Sequence, residues 1–196
     1  MIYALTGYKQ SGKSTAAKHI VEKTGAVRIN FKDALVQEIK DNFPNLLKEI
    51  QYDLWYTGCT KTDDWEQEIP SIDYLFDEKP SLMRALMQNY GTDVRRKDNP
   101  DYWVKQWEGK YVFGTPSCTC VVVDDCRFLN EADAIQRQGG TIIRIVRTDI
   151  KSGGHHASET EMDQIEADYT VEVEKGDLIG LYQQLDAIIG DAETNP

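Results

Sequence analysis

The sequence predicts an α/β fold with three layers, in which a parallel sheet of about five strands lies between helices on both faces. Two observations predict this fold. Short apolar runs alternate along the chain with segments of helical periodicity, which is the pattern of β-α-β units. The run at residues 120–123 is continuously apolar, as expected for a strand that is covered on both faces. The length of 196 residues is enough for a single domain with its own core.

The first part of the chain has clear signals for two strands and two helices. Gly25 is a typical residue for the end of a helix. Leu35 and Ile39 share one helical face, and Pro44 restricts how far that helix can extend. In order, the expected elements are a strand at 2–6, a helix at 13–23, a short strand at 26–30 and a helix at 33–42.

Residues 44–80 differ from the rest of the chain. They are acidic and carry three aromatic residues close together, Tyr52, Trp55 and Tyr56. No single period continues through this stretch. We therefore expect an irregular or partly helical insertion here.

Helical periodicity returns after Pro80 and continues to Tyr90, where Gly91 is expected to end the helix. Arg95 and Arg96 are expected in the loop that follows. Pro100 suits the first turn of another helix, whose apolar face would consist of Trp103, Val104 and Trp107.

The last part of the chain is expected to alternate strands and helices again. The apolar residues from Leu178 to Ile188 repeat at helical spacing, and Asp177 is a good N-cap for that helix. The expected elements are strands at 120–123, 141–146 and 168–173, helices at 130–138 and after 177, and a loop at 148–160.

Charge is distributed unevenly, and its distribution limits the partners. The chain has 33 acids and 22 Lys or Arg residues, a net charge of −11, so a long polyanion or an anionic membrane is not expected as a partner. Residues 1–32 nevertheless hold six basic residues and one acid. A small anion bound by basic side chains is compatible with this distribution.

The sequence predicts a cytoplasmic protein. We find no signal peptide and no apolar run that approaches the roughly 20 residues of a membrane span. The four cysteines do not form a disulfide framework in a chain of this length. Their spacing fits no zinc signature, so buried free thiols are expected.

One motif carries clear chemistry. Residues 7–14 read Gly-Tyr-Lys-Gln-Ser-Gly-Lys-Ser, a complete G-x-x-x-x-G-K-[ST] pattern between a predicted strand and a predicted helix. The glycines let the backbone N–H groups approach phosphate oxygens, and the helix adds its positive N-terminal end. Lys13 would contact the β- and γ-phosphates, and Ser14 would offer a hydroxyl to Mg²⁺.

A second part of a nucleotide site is expected where the strand at 120–123 ends. Asp124 and Asp125 follow that strand, and one of them would hold Mg²⁺ or its water. Arg127 would lie at the same carboxyl edge of the sheet, where open parallel sheets bind ligands. Its guanidinium suits phosphate, although an ion pair with either aspartate is an alternative role.

The chain resembles the bacteriophage-type deoxynucleoside monophosphate kinases of the P-loop kinase superfamily. The resemblance covers nearly the whole chain except the acidic insertion. Four stretches carry it in this order: residues 5–15; residues 84–93 with Tyr102-Trp103-Val104-Lys105; residues 125–134 leading to Gly140 and Ile145-Val146-Arg147; and His156-Ala157-Ser158-Glu159.

This resemblance implies a reaction and its cofactors. It implies transfer of the γ-phosphoryl group of ATP to a (deoxy)nucleoside 5′-monophosphate, with Mg²⁺, and a P-loop NTPase-type sheet with the P-loop strand in its centre. It favours Asp125 over Asp124. It also implies one P-loop kinase domain over residues 1–196, with an acceptor-side insertion at 44–80 and a lid at 148–160. The sequence leaves a homodimer open.

We assign candidate roles to the following residues. Catalytic roles are expected for Lys9, Lys13, Asp33 and Arg127. ATP phosphates are expected to contact Gly7, Gln10, Ser11, Gly12, Lys13, Ser14, Thr15 and Arg147. The acceptor nucleotide is expected to contact Asp33, Arg84, Thr92, Asp93, Arg95, Arg96, Trp103 and Arg127. Ser14 and Asp125 are the expected metal ligands.

Several alternatives stay open. Asp33 is equally explained as a helix N-cap, Arg95 and Arg96 as solvated surface residues, and Trp103 as part of the core. A kinase with a hydroxyl acceptor, similar to dephospho-coenzyme A kinase, would make Asp33 a true base. A nucleotide-dependent regulatory protein would instead use the insertion at 44–80 as an interaction surface.

Overall fold

The computed structural model describes residues 1–62, 64–114, 120–150 and 161–194. The chain divides into two compact units. The sheet unit consists of Met1–Phe31 and Val104–Pro196, and the helical unit consists of Lys32–Trp103. One helix, α6 (Tyr102–Gly114), belongs to both units.

The sheet unit confirms the predicted parallel sheet. Its five strands are all parallel and are ordered β2-β3-β1-β4-β5. The strand before the glycine-rich loop, β1, is therefore central, with Tyr3 beside Val122 on one side and Thr141 on the other. The strands are β1 (Ile2–Thr6), β2 (Val27–Arg28), β3 (Val121–Val123), β4 (Thr141–Arg147) and β5 (Tyr169–Val173).

Helices cover both faces of this sheet, as predicted. On one face, Ile2 and Ala4 of β1 pack in a core that also contains Trp107 of α6 and Ile135 of α7 (Leu129–Arg137). On the other face, Tyr3 and Leu5 pack in a core with residues of α1 (Lys13–Thr24) and α8 (Leu178–Thr194). Successive side chains of a strand point to opposite faces, so each strand contributes to both cores.

One edge of the sheet is bonded to a helix side chain. The amide of Gln184 on α8 contacts both backbone groups of Glu172 on β5. Its Oε1 accepts from the Glu172 N–H at 3.3 Å, and its Nε2 donates to the Glu172 carbonyl at 3.0 Å. This contact also ties α8 to the last strand.

The helical unit has its own apolar core. The core contains Ile39, Leu47, Ile50, Leu75, Phe76 and Met83, all at most 7% exposed. These side chains hold together α2 (Lys32–Asn42), α3 (Pro44–Thr62), α4 (Ile72–Glu78) and α5 (Ser81–Gln88). A π-helix (Asn89–Arg96) continues α5 without a break.

Two expectations differ from this structure. The stretch at 44–80 is largely helical, because α3 runs for 19 residues and buries Leu47 and Ile50 in the core of the helical unit. The expectation that Gly91 ends a helix is wrong. Gly91 lies within the π-helix and is buried, and a Cβ there would be 3.1 Å from Leu35 Cδ2. Glycine at this position serves close packing with Leu35 rather than helix termination.

The structure describes only the first residues of the segment expected to form the lid. The loop at 148–160, which includes the expected lid, lies outside the described residues from 151 onward. The single kinase domain over 1–196 stays a prediction. Among the described residues, no helix combines the length and apolar character that crossing a membrane requires.

Candidate active site

The glycine-rich loop joins β1 to α1 and has an unusual backbone. Gly7, Gln10 and Gly12 have positive φ angles of 138°, 65° and 105°. A Cβ at Gly7 would lie 2.3 Å from the carbonyl oxygen of Ile145, so only glycine fits there. The sheet therefore supports the loop directly, through the backbone of β4.

The side chain of Lys13 folds back into this loop. Its Nζ donates to the carbonyl oxygens of Gly7 and Tyr8, at 2.6 Å each, and the residue is only 8% exposed. Burial, together with the positive charge of Arg127, lowers the pKa of Lys13 to about 8, while the negative charges of Asp124 and Asp125 oppose the shift. The positive charges of Lys13 and Arg127 therefore influence each other, as expected for a site that neutralises an anion.

Two buried hydroxyl groups in and before the loop have no hydrogen-bond partner among the residues that the structure describes. They belong to Thr6, the last residue of β1, and to Ser11, which is 2% exposed. Buried polar groups are nearly always hydrogen-bonded, so an unpaired hydroxyl inside a phosphate-binding motif fits a phosphate ligand. The Ser11 Oγ also lies 3.0 Å from the position of a Cβ at Gly7.

The two aspartates after β3 have different surroundings. Asp124 Oδ2 accepts from Ser14 Oγ at 3.4 Å and forms an ion pair with Arg28. Asp125 Oδ1 instead accepts from the backbone N–H of Phe31 at 3.1 Å. The carboxylate beside the Ser14 hydroxyl is therefore that of Asp124, although the resemblance favours Asp125 as the metal ligand. The expected metal role of Asp125 stays a prediction.

Arg127 and Arg147 both follow the glycine-rich motif in sequence and belong to the same unit as that motif. Arg147 Nη1 donates to the carbonyl oxygen of Gln10 at 2.8 Å, and its Nε donates to Asp149 at 2.6 Å. Arg127 is exposed, and its backbone N–H donates to Glu131 Oε2 at 2.8 Å. The guanidinium of Arg147 is thus held beside the loop by the Gln10 carbonyl oxygen and by Asp149, a residue that sequence reasoning did not assign.

The remaining expected loop residues also belong to this unit. Lys9 is exposed in the loop, and Thr15 is half-buried in the first turn of α1. In the part of the chain that the structure describes, no cluster of three or more His, Cys, Asp or Glu residues is suited to a metal. A metal beside Ser14 and an aspartate would therefore take its other ligands from water and phosphate, as Mg²⁺ commonly does.

Residues expected to bind the acceptor lie in the helical unit, apart from Arg127. Asp33 is in the first turn of α2, and Arg84 is exposed on α5. The π-helix contains Thr92, Asp93, Arg95 and Arg96. The expectation that Arg95 and Arg96 lie in a loop is therefore wrong. π-helical segments occur frequently at functional sites, so the π-helix itself supports a functional role for this region.

Trp103 is buried in the helical unit. It is 3% exposed, and its indole N–H donates to the carbonyl oxygen of Gly91 at 3.0 Å. This contact secures the π-helix against α6. The burial of Trp103 favours its structural role, and its expected contact with a nucleobase stays a prediction.

Comparison with known proteins adds independent information. Residues 61–185 match the family described as Deoxynucleotide monophosphate kinase. The chain is also similar to a protein of Acanthamoeba polyphaga mimivirus that carries the provisional name deoxynucleotide monophosphate kinase. The two are 29% identical over 201 residues, covering 98% of this chain and 97% of the relative.

Similarity to solved structures is weaker. TT1252 from Thermus thermophilus aligns with 97% of this chain and 97% of its own, at 14% identity and a TM-score of 0.46. Dephospho-CoA kinase from Campylobacter jejuni aligns with 97% of this chain and 96% of its own, at 13% identity and a TM-score of 0.41. These two likenesses are too low to bear on function.

Proposed function

Since the chain belongs to the deoxynucleotide monophosphate kinase family, we propose that it transfers the γ-phosphoryl group of ATP to a deoxynucleoside 5′-monophosphate and releases the diphosphate. The observation that carries the proposal is the phosphate cradle between β1 and α1. There a buried lysine, an unpaired Ser11 hydroxyl and a glycine-dependent backbone converge at the carboxyl edge of a parallel sheet.

The chemistry requires positioning and charge neutralisation more than proton transfer. The acceptor is a phosphate oxygen that is already ionised at neutral pH, so a general base is not needed. Lys13 and Arg127 would neutralise charge on the transferred group, and Lys9 and Arg147 would add to the positive field around the donor phosphates. Asp33 would then orient the acceptor rather than remove a proton.

Magnesium fits the residues at the loop. Ser14 Oγ and a carboxylate of Asp124 or Asp125 would hold the ion, which supplies charge neutralisation to the donor phosphates. The distance of 3.4 Å between Ser14 Oγ and Asp124 Oδ2 supports Asp124 as the nearer carboxylate. The resemblance supports Asp125.

Single substitutions distinguish the two carboxylates. We expect the variant that lacks the metal ligand to need at least roughly tenfold more Mg²⁺ for half-maximal activity, because even the loss of an outer-shell partner of a metal ligand typically costs 10- to 100-fold in metal affinity or activity. On the contact with Ser14, Asp124→Asn should show this shift and Asp125→Asn should not. Activity is measured against Mg²⁺ concentration, and melting temperature is measured in parallel. A shift in Asp125→Asn alone would assign the metal to Asp125.

The pKa of Lys13 makes ATP binding depend on pH. The free protein should lose affinity for ATP as pH rises above about 8, since the lysine then becomes neutral. Bound phosphates favour the charged form, so binding at pH 8.5 should be accompanied by proton uptake. Calorimetry in buffers of different ionisation enthalpy measures that uptake directly.

Lys13→Arg is the matched control for this experiment. Arginine stays charged over the whole range, so its binding should show no proton uptake between pH 7 and 9, whatever its affinity. Binding to the unsubstituted protein without proton uptake at pH 8.5 would contradict the lowered pKa of Lys13.

The proposed reaction is tested with the purified chain, ATP and Mg²⁺. Deoxynucleoside and nucleoside monophosphates are offered singly, and products are separated chromatographically. We expect a nucleoside diphosphate and ADP in equal amounts with at least one monophosphate. Dephospho-coenzyme A tests the hydroxyl acceptor, and incubation without acceptor tests slow hydrolysis by a regulatory protein.

Asp33→Asn further distinguishes a phosphate acceptor from a hydroxyl acceptor. A phosphate acceptor predicts a modest loss of turnover, since Asp33 would only orient the substrate. A hydroxyl acceptor predicts almost complete loss, because a general base contributes roughly 10²–10⁴-fold to rate. Failure to phosphorylate any monophosphate would overturn the proposed function.

A further inference from the structure

The helical unit contains a hydrogen-bonded cluster around Glu38 of α2. Glu38 Oε2 accepts from Tyr90 Oη at 3.0 Å, from Arg95 Nε at 3.0 Å and from Arg95 Nη2 at 2.9 Å. The other carboxylate oxygen, Oε1, accepts from the hydroxyl of Tyr102. Both oxygens of Glu38 are therefore engaged by groups that follow it by 52 to 64 residues in sequence.

The guanidinium of Arg95 is fixed by more than this carboxylate. Its Nε and Nη2 also donate to Tyr90 Oη, at 3.1 and 2.8 Å. Its Cζ lies 5.2 Å from the centre of the Tyr90 ring and 5.0 Å from that of Tyr102, within the range of cation–π attraction. The hydrogen bond to Tyr90 raises the pKa of Arg95, so the group stays charged.

The Nη1 nitrogen of the Arg95 guanidinium remains available to bind a ligand. Nη1 carries two N–H groups, and neither has a partner among the described residues, while 36% of the side chain is exposed. A guanidinium held along its Nε–Nη2 edge can still bind phosphate through its Nη1 group. Such a group has already lost the rotamer freedom that a mobile surface arginine would lose on binding.

We propose that Glu38, with Tyr90 and Tyr102, is a positioning residue that fixes Arg95 to bind the phosphate of the acceptor nucleotide. The inference rests on the proposed function and on the expected acceptor contacts in this unit, and it deepens that function. Arg95 touches the substrate, and Glu38 acts through Arg95. The π-helix contributes by placing Tyr90 and Arg95 on the same side, where both reach Glu38.

The direction in which monophosphate affinity changes when Glu38 is removed distinguishes a positioning role from a purely electrostatic one. Glu38 is negative and lies beside a group that would bind an anion. If it acted only through its charge, removing it should strengthen binding of a monophosphate. If it positions Arg95, removing it should weaken binding, because the guanidinium regains its rotamer freedom.

The experiment compares Glu38→Ala with Asp41→Ala. Both substitutions remove one negative charge from the same helix, but the Asp41 carboxylate contacts Gln37 and not Arg95. We expect Glu38→Ala to raise both the Kd and the KM of the acceptor monophosphate by roughly tenfold, the scale of one ordered charged side chain. The KM of ATP should stay unchanged. Asp41→Ala should leave the acceptor constants within about twofold or lower them slightly.

Three further variants test whether Glu38 acts through Arg95. In an Arg95→Ala background, Glu38→Ala should add almost no further loss, since the residue it positions is gone. Glu38→Gln keeps an oxygen that accepts from Arg95 and should restore most of the affinity. Tyr102→Phe removes only one donor to Glu38 and serves as a milder variant if Glu38→Ala does not fold, with an expected rise in acceptor KM of a few-fold.

The outcomes separate this inference from the proposed function. Calorimetric binding of the monophosphate does not require turnover. If the protein phosphorylates a monophosphate and folded Glu38→Ala binds it as well as or better than before, the positioning role is overturned and the kinase function stands. If the unsubstituted protein neither binds nor phosphorylates any monophosphate, both proposals are overturned.

Discussion

Lys13→Ala is expected to lower kcat/KM for phosphoryl transfer by about 10²–10³-fold, the loss typical of removing one preorganised charged donor. The reason is geometric. Two carbonyl oxygens hold Nζ of Lys13 in the phosphate-binding loop, where it can stabilise the negative charge on the transferred phosphoryl group. Steady-state kinetics with saturating acceptor measure the effect. Lys18→Ala is the control, because Lys18 lies on the same helix, is exposed and forms an ion pair with Glu22.

Replacing Lys13 with the uncharged Met should not lower the stability of the protein at pH 7. Because the folded protein lowers the pKa of Lys13 to about 8, the charged form is disfavoured in the folded state below that pH. This cost is fully present below pH 8, and it disappears as pH rises through the unfolded value of 10.5. Lys13→Met should therefore melt at or above the temperature of the unsubstituted protein at pH 7. A lower activity together with a clearly lower melting temperature would contradict this separation of catalysis from folding.

Gly7→Ala is expected to cost roughly 3–5 kcal/mol of folding free energy, which combines backbone strain with overpacking. The new Cβ would lie 2.3 Å from the carbonyl oxygen of Ile145, and the φ angle of 138° disfavours any side chain. This carbonyl group cannot move away easily, since it belongs to the backbone of the internal strand β4. Urea denaturation gives the free energy of unfolding.

Gly25→Ala provides the matched comparison. Gly25 also has a positive φ, of 69°, but a Cβ there meets nothing within 4 Å. Its substitution should cost only about 1 kcal/mol, the strain of a left-handed residue without a clash. Equal losses for the two variants would show that the close approach of β4 to the loop contributes nothing.

Local sequence signals predicted the sheet and the phosphate-binding loop well. The loop is defined by eight consecutive residues, and its strand and helix lie directly beside it. Alternation of apolar runs predicted the parallel strands. Asp124 and Asp125 could not be separated, because both end the same strand, and only Arg28 and Ser14 from elsewhere in the chain reveal which one faces the loop.

The helical unit was harder to predict for a physical reason. The position of Arg95 depends on Glu38, Tyr90 and Tyr102, and three of the resulting contacts join residues more than 50 positions apart. Hydrophobic periodicity reports local structure and therefore cannot reveal such a long-range cluster. Gly91 was misleading, since glycine often ends helices but here allows Leu35 to approach a continuous π-helix. The helical character of 44–62 was masked by its acidic and aromatic residues.

The amide of Gln184 has a consequence for how the protein behaves at high concentration. An open strand at a sheet edge exposes N–H and C=O groups that can pair with another molecule and start aggregation. At Glu172, in the middle of the edge strand β5, Gln184 occupies both groups, and the side chain of Glu172 adds a negative charge. The opposite edge strand, β2, is only two residues long and offers little template. Both edges of the sheet thus resist edge-to-edge pairing with another molecule.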